Sequence, residues 1–175
     1  GSSRATEKTV AVNNLRLFTH RRPSEWQHFD LSNMLRSICC QLGQDTAQQG
    51  LQIEQSFPTA LTLYGDPLLI EKAITNLVEN AMEAMPGGGT IHVSATSDAA
   101  AMDIRIQDGG QGIESHDVEH IFHPFFTTKS GSLGLGLAIV RQVAETHGGI
   151  IRVARVNNGG SLISLRLPRR MTSQA

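Results

Sequence analysis

The sequence predicts an α+β domain in which helices interrupt a largely antiparallel sheet. Two observations carry that expectation. Three segments repeat apolar residues at three- and four-residue spacing, and six short runs alternate apolar and polar residues. Glycine-, proline- and Asx-rich breaks separate these segments.

Along the chain, Gly1-Ser2-Ser3 reads as an expression scar, and Val10, Leu15 and Phe18 suit a helix that stops before Pro23. Arg21-Arg22-Pro23 reads as a linker. Asp30 caps a helix carrying Leu31, Leu35, Ile38 and Leu42. Leu51–Glu54 and Leu61–Leu63 read as short strands. Asp66-Pro67 starts a second helix, with Asp as the cap and Pro in the first turn, and Pro86-Gly87-Gly88-Gly89 ends it. Strands follow near 90–96 and 101–107. A long irregular stretch covers 112–133. A third helix runs from about Leu135 to His147, stopped by Gly148-Gly149. Strands near 150–156 and 161–167 close the fold through Asn157-Asn158-Gly159-Gly160, a hairpin signal.

The 175 residues suit one domain with a substantial core. No apolar run is long enough to span a bilayer, so the chain is read as soluble. The two cysteines, Cys39 and Cys40, are adjacent on a helix and unsuited to pairing with each other, which favours a reducing compartment. No basic patch with interleaved aromatics points to nucleic acid. Residues 51–120 hold Lys72 and Arg105 against eleven acidic side chains. An acidic middle that held a polyanion would need a divalent cation between them. A solvated acidic face explains the same asymmetry.

On the second helix, Ile70, Ala73, Ile74, Leu77, Ala81 and Met85 form an apolar stripe. Lys72, Asn76, Glu79, Asn80 and Glu83 form the opposite one. Asn is a mediocre helix former, and two Asn at i, i+4 make a poor solubility device. Their amide oxygens suit a hydrated Mg²⁺. In the strand 102–107, Met102, Ile104 and Ile106 share a face, and Asp108 has their parity. A buried carboxylate needs a donor, which the amino group of adenine can supply. A type I′ turn at Asp108-Gly109 is the plainer alternative, but Gly110 and Gly112 exceed what a hairpin needs and would let backbone approach a flat base. Gly131-Ser132-Leu133-Gly134-Leu135-Gly136-Leu137 runs from loop into helix, the setting of an anion site. It is neither a P-loop nor a Rossmann turn. Lys129 is placed to meet phosphate charge. Ser161 has the inward parity of Ile163, Leu165 and Leu167, so its hydroxyl could reach a base or simply be satisfied in the core. His116, His120 and His123 have metal-like spacing, but no Cys or carboxylate completes a zinc set.

Taken together these segments resemble the ATP-binding catalytic domain of bacterial sensor histidine kinases, within the gyrase, Hsp90, MutL and histidine kinase superfamily. The resemblance covers about residues 28–168. Asn76–Asn80 is similar to the N box, and Asp108, Gly110 and Gly112, followed by Ile113, to the G1 box. Phe122 through Thr127, Thr128 and Lys129 resembles the F box, especially of the nitrogen-regulation type. Gly134–Leu137 resembles the G2 box, and Gly160-Ser161 through Pro168 the closing segment. The resemblance implies a Bergerat fold, a two-layer sandwich with a mixed sheet and helices on one face. It implies ATP bonded through adenine to Asp108, Mg²⁺ on Asn80 and Asn76, and a lid over 113–133. It also implies a domain at 28–170, preceded by the end of a dimerisation helix and a linker and followed by a tail at 171–175.

Two departures matter. Glu83 stands where many family members carry Lys or Arg. His20 is followed by Arg21-Arg22-Pro23, so the phosphoacceptor motif is absent and His20 reads as a linker residue. Three function classes follow. A histidine kinase catalytic domain would present the γ-phosphate of ATP to a histidine on the dimerisation domain of its parent, a homodimer serving a cognate response regulator. Its location would be cytoplasmic, alone or as the inner part of a membrane sensor. An ATP-hydrolysing relative would need a base, for which Glu79 is one residue out of place and Asn76 is an amide. A nucleotide-sensing module would bind ATP without transfer.

Overall fold

The computed structural model describes residues 25–110, 136–157 and 159–169. Strand β1 (Gln27–Asp30) leads into helix α1 (Leu31–Thr46), a 3₁₀ turn (Ala47–Gln49) and β2 (Leu51–Ser56). β3 (Thr62–Gly65) precedes α2 (Pro67–Glu83), then β4 (Gly89–Ser97) and β5 (Ala101–Gln107). α3 (Gly136–Thr146), β6 (Ile150–Arg155) and β7 (Ser161–Pro168) complete the described elements.

The helices begin where the sequence places their caps. Asp30 accepts from Ser32 N at 2.9 Å and Asn33 N at 3.4 Å. Asp66 accepts from Leu68 N at 3.1 Å and Leu69 N at 3.3 Å, with Pro67 in the first turn. Each carboxylate satisfies amide donors that have no partner within the helix.

The main sheet has five strands in the order β2-β4-β5-β7-β6. β2 pairs parallel with β4, and every other pair is antiparallel. This is the mixed, largely antiparallel sheet of the Bergerat fold. One face is apolar: Ile91, Val93 and Ala95, then Met102, Ile104 and Ile106, then Ile163, Leu165 and Leu167 are all buried. Leu31, Leu35 and Ile38 of α1, the stripe of α2, and Ile139, Val140 and Val143 of α3 join them in one core. The other face carries polar pairs, Glu54 with His92 at 3.0 Å and Asp103 with Arg166 at 2.5 Å. Two layers of this kind let period-2 strands and period-3.6 helices bury one face each.

β1 is a strand the hydropathy pattern does not announce. It pairs antiparallel with β3 as a separate two-stranded ribbon. Both cysteines are free, with Cys39 buried and Cys40 exposed. No helix among the described residues is long and apolar enough to cross a membrane.

Candidate nucleotide site

The site forms where the C-terminal ends of α2 and β5 meet the start of β7. Asp108 follows β5 and is 4% exposed. Its parity with Met102, Ile104 and Ile106 carries it inward, as expected. Its backbone N–H donates to Ser161 O at 3.0 Å. One carboxylate oxygen accepts from Gly110 N at 2.9 Å, and the other accepts the Ser161 hydroxyl at 2.7 Å. Ser161 is itself buried. Asp108 and Ser161, separated by more than fifty residues, are thus one hydrogen-bonded unit. A carboxylate has about four acceptor positions, so two donors leave it able to receive a further N–H.

Asp108-Gly109 is not a two-residue hairpin turn, since β5 pairs with β7 rather than with the segment after it. Gly109 N donates to the Met85 thioether at 3.2 Å, clasping the end of α2 to the end of β5. The space a Cβ would need at Gly110 is filled by the Ala84 carbonyl. Glycine at this position therefore admits the turn that ends α2. Gly160 has φ +91°, and a Cβ there would run into the Asp108 carbonyl. Only glycine lets β7 start this close to Asp108.

On α2, Asn76 is 8% exposed and lies among Leu77, Val78 and Ala73, not on a solvated stripe. This burial has a simple cause. α2 packs against α3 and α1 as well as the sheet, so its buried arc is wider than the apolar residues alone suggest. The Nδ2 of Asn76 is buried without a hydrogen-bond partner. An orphaned buried donor is costly, and here it lies one helical turn before half-buried Asn80. Amide groups at that spacing are hard-oxygen donors suited to a hydrated divalent cation, and the orphaned N–H₂ can meet an anion.

Glu79 and Glu83 follow Asn76 along α2. With Gln49, Met82 and Pro86 they line an open depression of about 370 Å³, which does not include Asp108, Asn76 or Ser161. Partial burial pushes the Glu79 pKa up. Lys72 pulls against that shift and Glu83 adds to it.

Gly136 opens α3 and Leu137 packs on the core. Gly112, Ile113, Phe122, Thr127, Thr128, Lys129, Gly131, Ser132, Leu133, Gly134 and Leu135 lie outside the described residues, as do His116, His120, His123 and the 113–133 stretch expected to be a lid.

A family model described as "Histidine kinase-, DNA gyrase B-, and HSP90-like ATPase" matches residues 65–171. The chain belongs to this family. The match takes in α2, β5, the Asp108 turn, α3 and β7, the elements that build the site. Sensor histidine kinase ZraS of Escherichia coli is 34% identical over 147 residues, 83% of this chain and 32% of ZraS. Sporulation kinase B of Bacillus subtilis is 29% identical over 145 residues, 82% of this chain and 34% of that one. The chain thus spans about a third of these curated relatives. The catalytic domain of histidine kinase ThkA superposes with a TM-score of 0.77 at 27% identity, covering 83% of this chain and 98% of that domain. ThkA in complex with the response regulator protein TrrA matches with a TM-score of 0.84 over 97% of this chain and 49% of that one; at 24% identity it speaks to fold alone. The domain is of the ATP-using kind, and its fold is that of histidine kinase catalytic domains.

Sequence reasoning gave no role to two residues that the structure makes prominent, Trp26 and His147. The only signal for His147 was its position before Gly148-Gly149 at a helix end, and Trp26 sits in a polar stretch with no periodicity.

Proposed function

We propose that this chain is the nucleotide-binding part of a protein-histidine kinase. It would hold Mg-ATP and present the γ-phosphate to a histidine on the dimerisation domain of its parent, which then serves a response regulator in the cytoplasm. The observation that carries this reading is the buried Asp108–Ser161 unit, clasped to the end of the helix that carries Asn76 and Asn80, inside a fold of the family just described. Asp108 receives the adenine amino group. Ser161 and Gly110 fix its carboxylate in direction, so little reorganisation is needed on binding. Asn80 and Asn76 would hold Mg²⁺, which when bound neutralises triphosphate charge beside the acidic residues of α2. Residues of the chain position the nucleotide and exclude water; the nucleophile comes from another segment.

Hydrolysis is disfavoured by chemistry. Asn76 cannot take a proton, and Glu79 stands one residue before Asn80, a different direction on the helix. The partner reading follows the relatives, with the ThkA–TrrA complex as precedent.

The test mixes this chain with γ-labelled ATP, Mg²⁺ and the dimerisation helices of the same parent kinase. Acid-labile label should appear on the supplied helices and not on the chain alone. Steady turnover of ATP by the isolated chain would favour the hydrolytic reading. Binding without transfer to the supplied helices would favour a sensing module.

A further inference from the structure

His147 is none of the candidate nucleotide residues, yet it is 3% exposed and held at both ring nitrogens and on one face. Its Nδ1 donates to Val143 O at 2.8 Å, which fixes the tautomer and leaves Nε2 as an acceptor. Nε2 accepts the Asp66 backbone N–H at 3.0 Å. Asp66 is the residue whose side chain caps α2. A Cβ at Gly65 would come within 2.8 Å of the imidazole and 2.9 Å of Ile70, so glycine there makes room for the ring. The free face of the imidazole is covered by the Trp26 indole, stacked at 4.6 Å and 26°. Trp26 also leans on Tyr64 at 5.7 Å, and Tyr64 on His28 at 4.8 Å.

One continuous contact path therefore runs from the segment that enters the fold at Trp26, through His147, to the first turn of the helix that carries Asn76 and Asn80. A satisfied buried histidine could serve α3 alone. Three features exceed that need: the acceptor is spent on another helix's cap, a glycine is placed beneath it, and a tryptophan from the entering chain closes the other side. We propose that His147 is a positioning residue that couples the entering segment at Trp26 to the N-terminus of α2, so that displacing Trp26 weakens ATP binding. This rests on the kinase reading, in which the entering segment leads from the dimerisation domain. A shift in that domain would reach the nucleotide helix by this route without any contact to ATP.

The test measures ATP affinity by calorimetry in Mg²⁺ for the 175-residue chain and for Trp26→Leu, Trp26→Phe, His147→Gln and the Trp26→Leu/His147→Gln pair. Amide exchange of α2 is read in parallel without nucleotide. Trp26→Leu and His147→Gln should each weaken ATP on the order of fivefold or more, and the pair should weaken it by less than the product of the two. Trp26→Phe, which keeps a stacking ring, should restore most of the affinity. Exchange at Asp66 and the first turn of α2 should quicken in Trp26→Leu. Parent-like affinity in the folded single variants, effects that multiply independently, or unchanged α2 exchange would overturn the coupling. Failure of the parent chain to bind ATP would instead remove the kinase reading, and α2 exchange would still decide the coupling.

Discussion

Asp108 decides the chemistry of the site at the residue scale. Its two oxygens are already fixed by Gly110 N–H and the Ser161 hydroxyl, so Asp108→Asn changes the character of the group more than its place. An amide that turns its N–H₂ toward adenine opposes a donor with a donor. ATP affinity should fall by roughly 1–3 kcal/mol, the scale of a buried polar mismatch, with the fold retained; unchanged affinity by calorimetry would take Asp108 out of the adenine role. Inward parity made this residue legible in the sequence, because a period-2 strand carries its pattern one position past its end. Ser161 was legible as inward but not as the partner of Asp108, since pairing across more than fifty residues depends on the β5–β7 register. The cysteines give a second residue-scale contrast. Burial pushes the Cys39 thiol up to about 11, while Cys40 is exposed. One thiol should react with a disulfide reagent in the native protein and two after unfolding. Two rapid native reactions would contradict the burial of Cys39.

Capping governs the elements. Asp30 holds Ser32 N and Asn33 N at the start of α1 and also receives Leu61 N at 3.4 Å, tying the helix to the chain entering β3. Asp30→Ala should cost about 0.5–2 kcal/mol in urea unfolding, and an Asn substitution should recover much of it. A loss below the error of the measurement would mean the cap is not formed in solution. Both helix starts were readable because a cap is local chemistry. β1 was not, because Gln27-His28-Phe29-Asp30 is short and polar and becomes a strand only by pairing with β3. The burial of Asn76 agrees with the argument that two Asn make a poor solvated stripe, but its extent was not legible, because a helix wheel shows which residues are apolar and not how many neighbours the helix has. α2 has α1, α3 and the sheet around it, and this wider burial encloses the Asn76 amide.

Across the whole molecule, helices interrupting a largely antiparallel sheet followed from periodicity and the two layers from the resemblance, whereas the strand order β2-β4-β5-β7-β6 was not legible, since alternation says nothing about which strands are neighbours. The same long-range packing sets how stability responds to pH. Burial lowers the His147 pKa from 6.5, more than the Val143 carbonyl and the Asp66 charge raise it. Asp66 lies at the ring, Trp26 covers it with Tyr64 and His28 beyond, and Glu145 of α3 pairs with Arg141 at 3.1 Å. Between the depressed folded pKa and 6.5 the unfolded chain binds more protons than the native one, so stability rises with pH through that window and is complete above it. Asp98 works in a different range. Amide donors from Ala101 and Ala100 and the Arg166 guanidinium hold its pKa at about 2, so its contribution is intact above the ordinary carboxylate value and is lost only as pH falls through about 2. Urea midpoints taken from pH 7 down to pH 5 should therefore decline in the parent through His147, with Asp98 silent. In His147→Gln the midpoint should be lower at pH 7 and should fall less over the same range, because the group that must charge is gone. Parallel declines in the parent and His147→Gln would show that the buried imidazole is not what acid acts on.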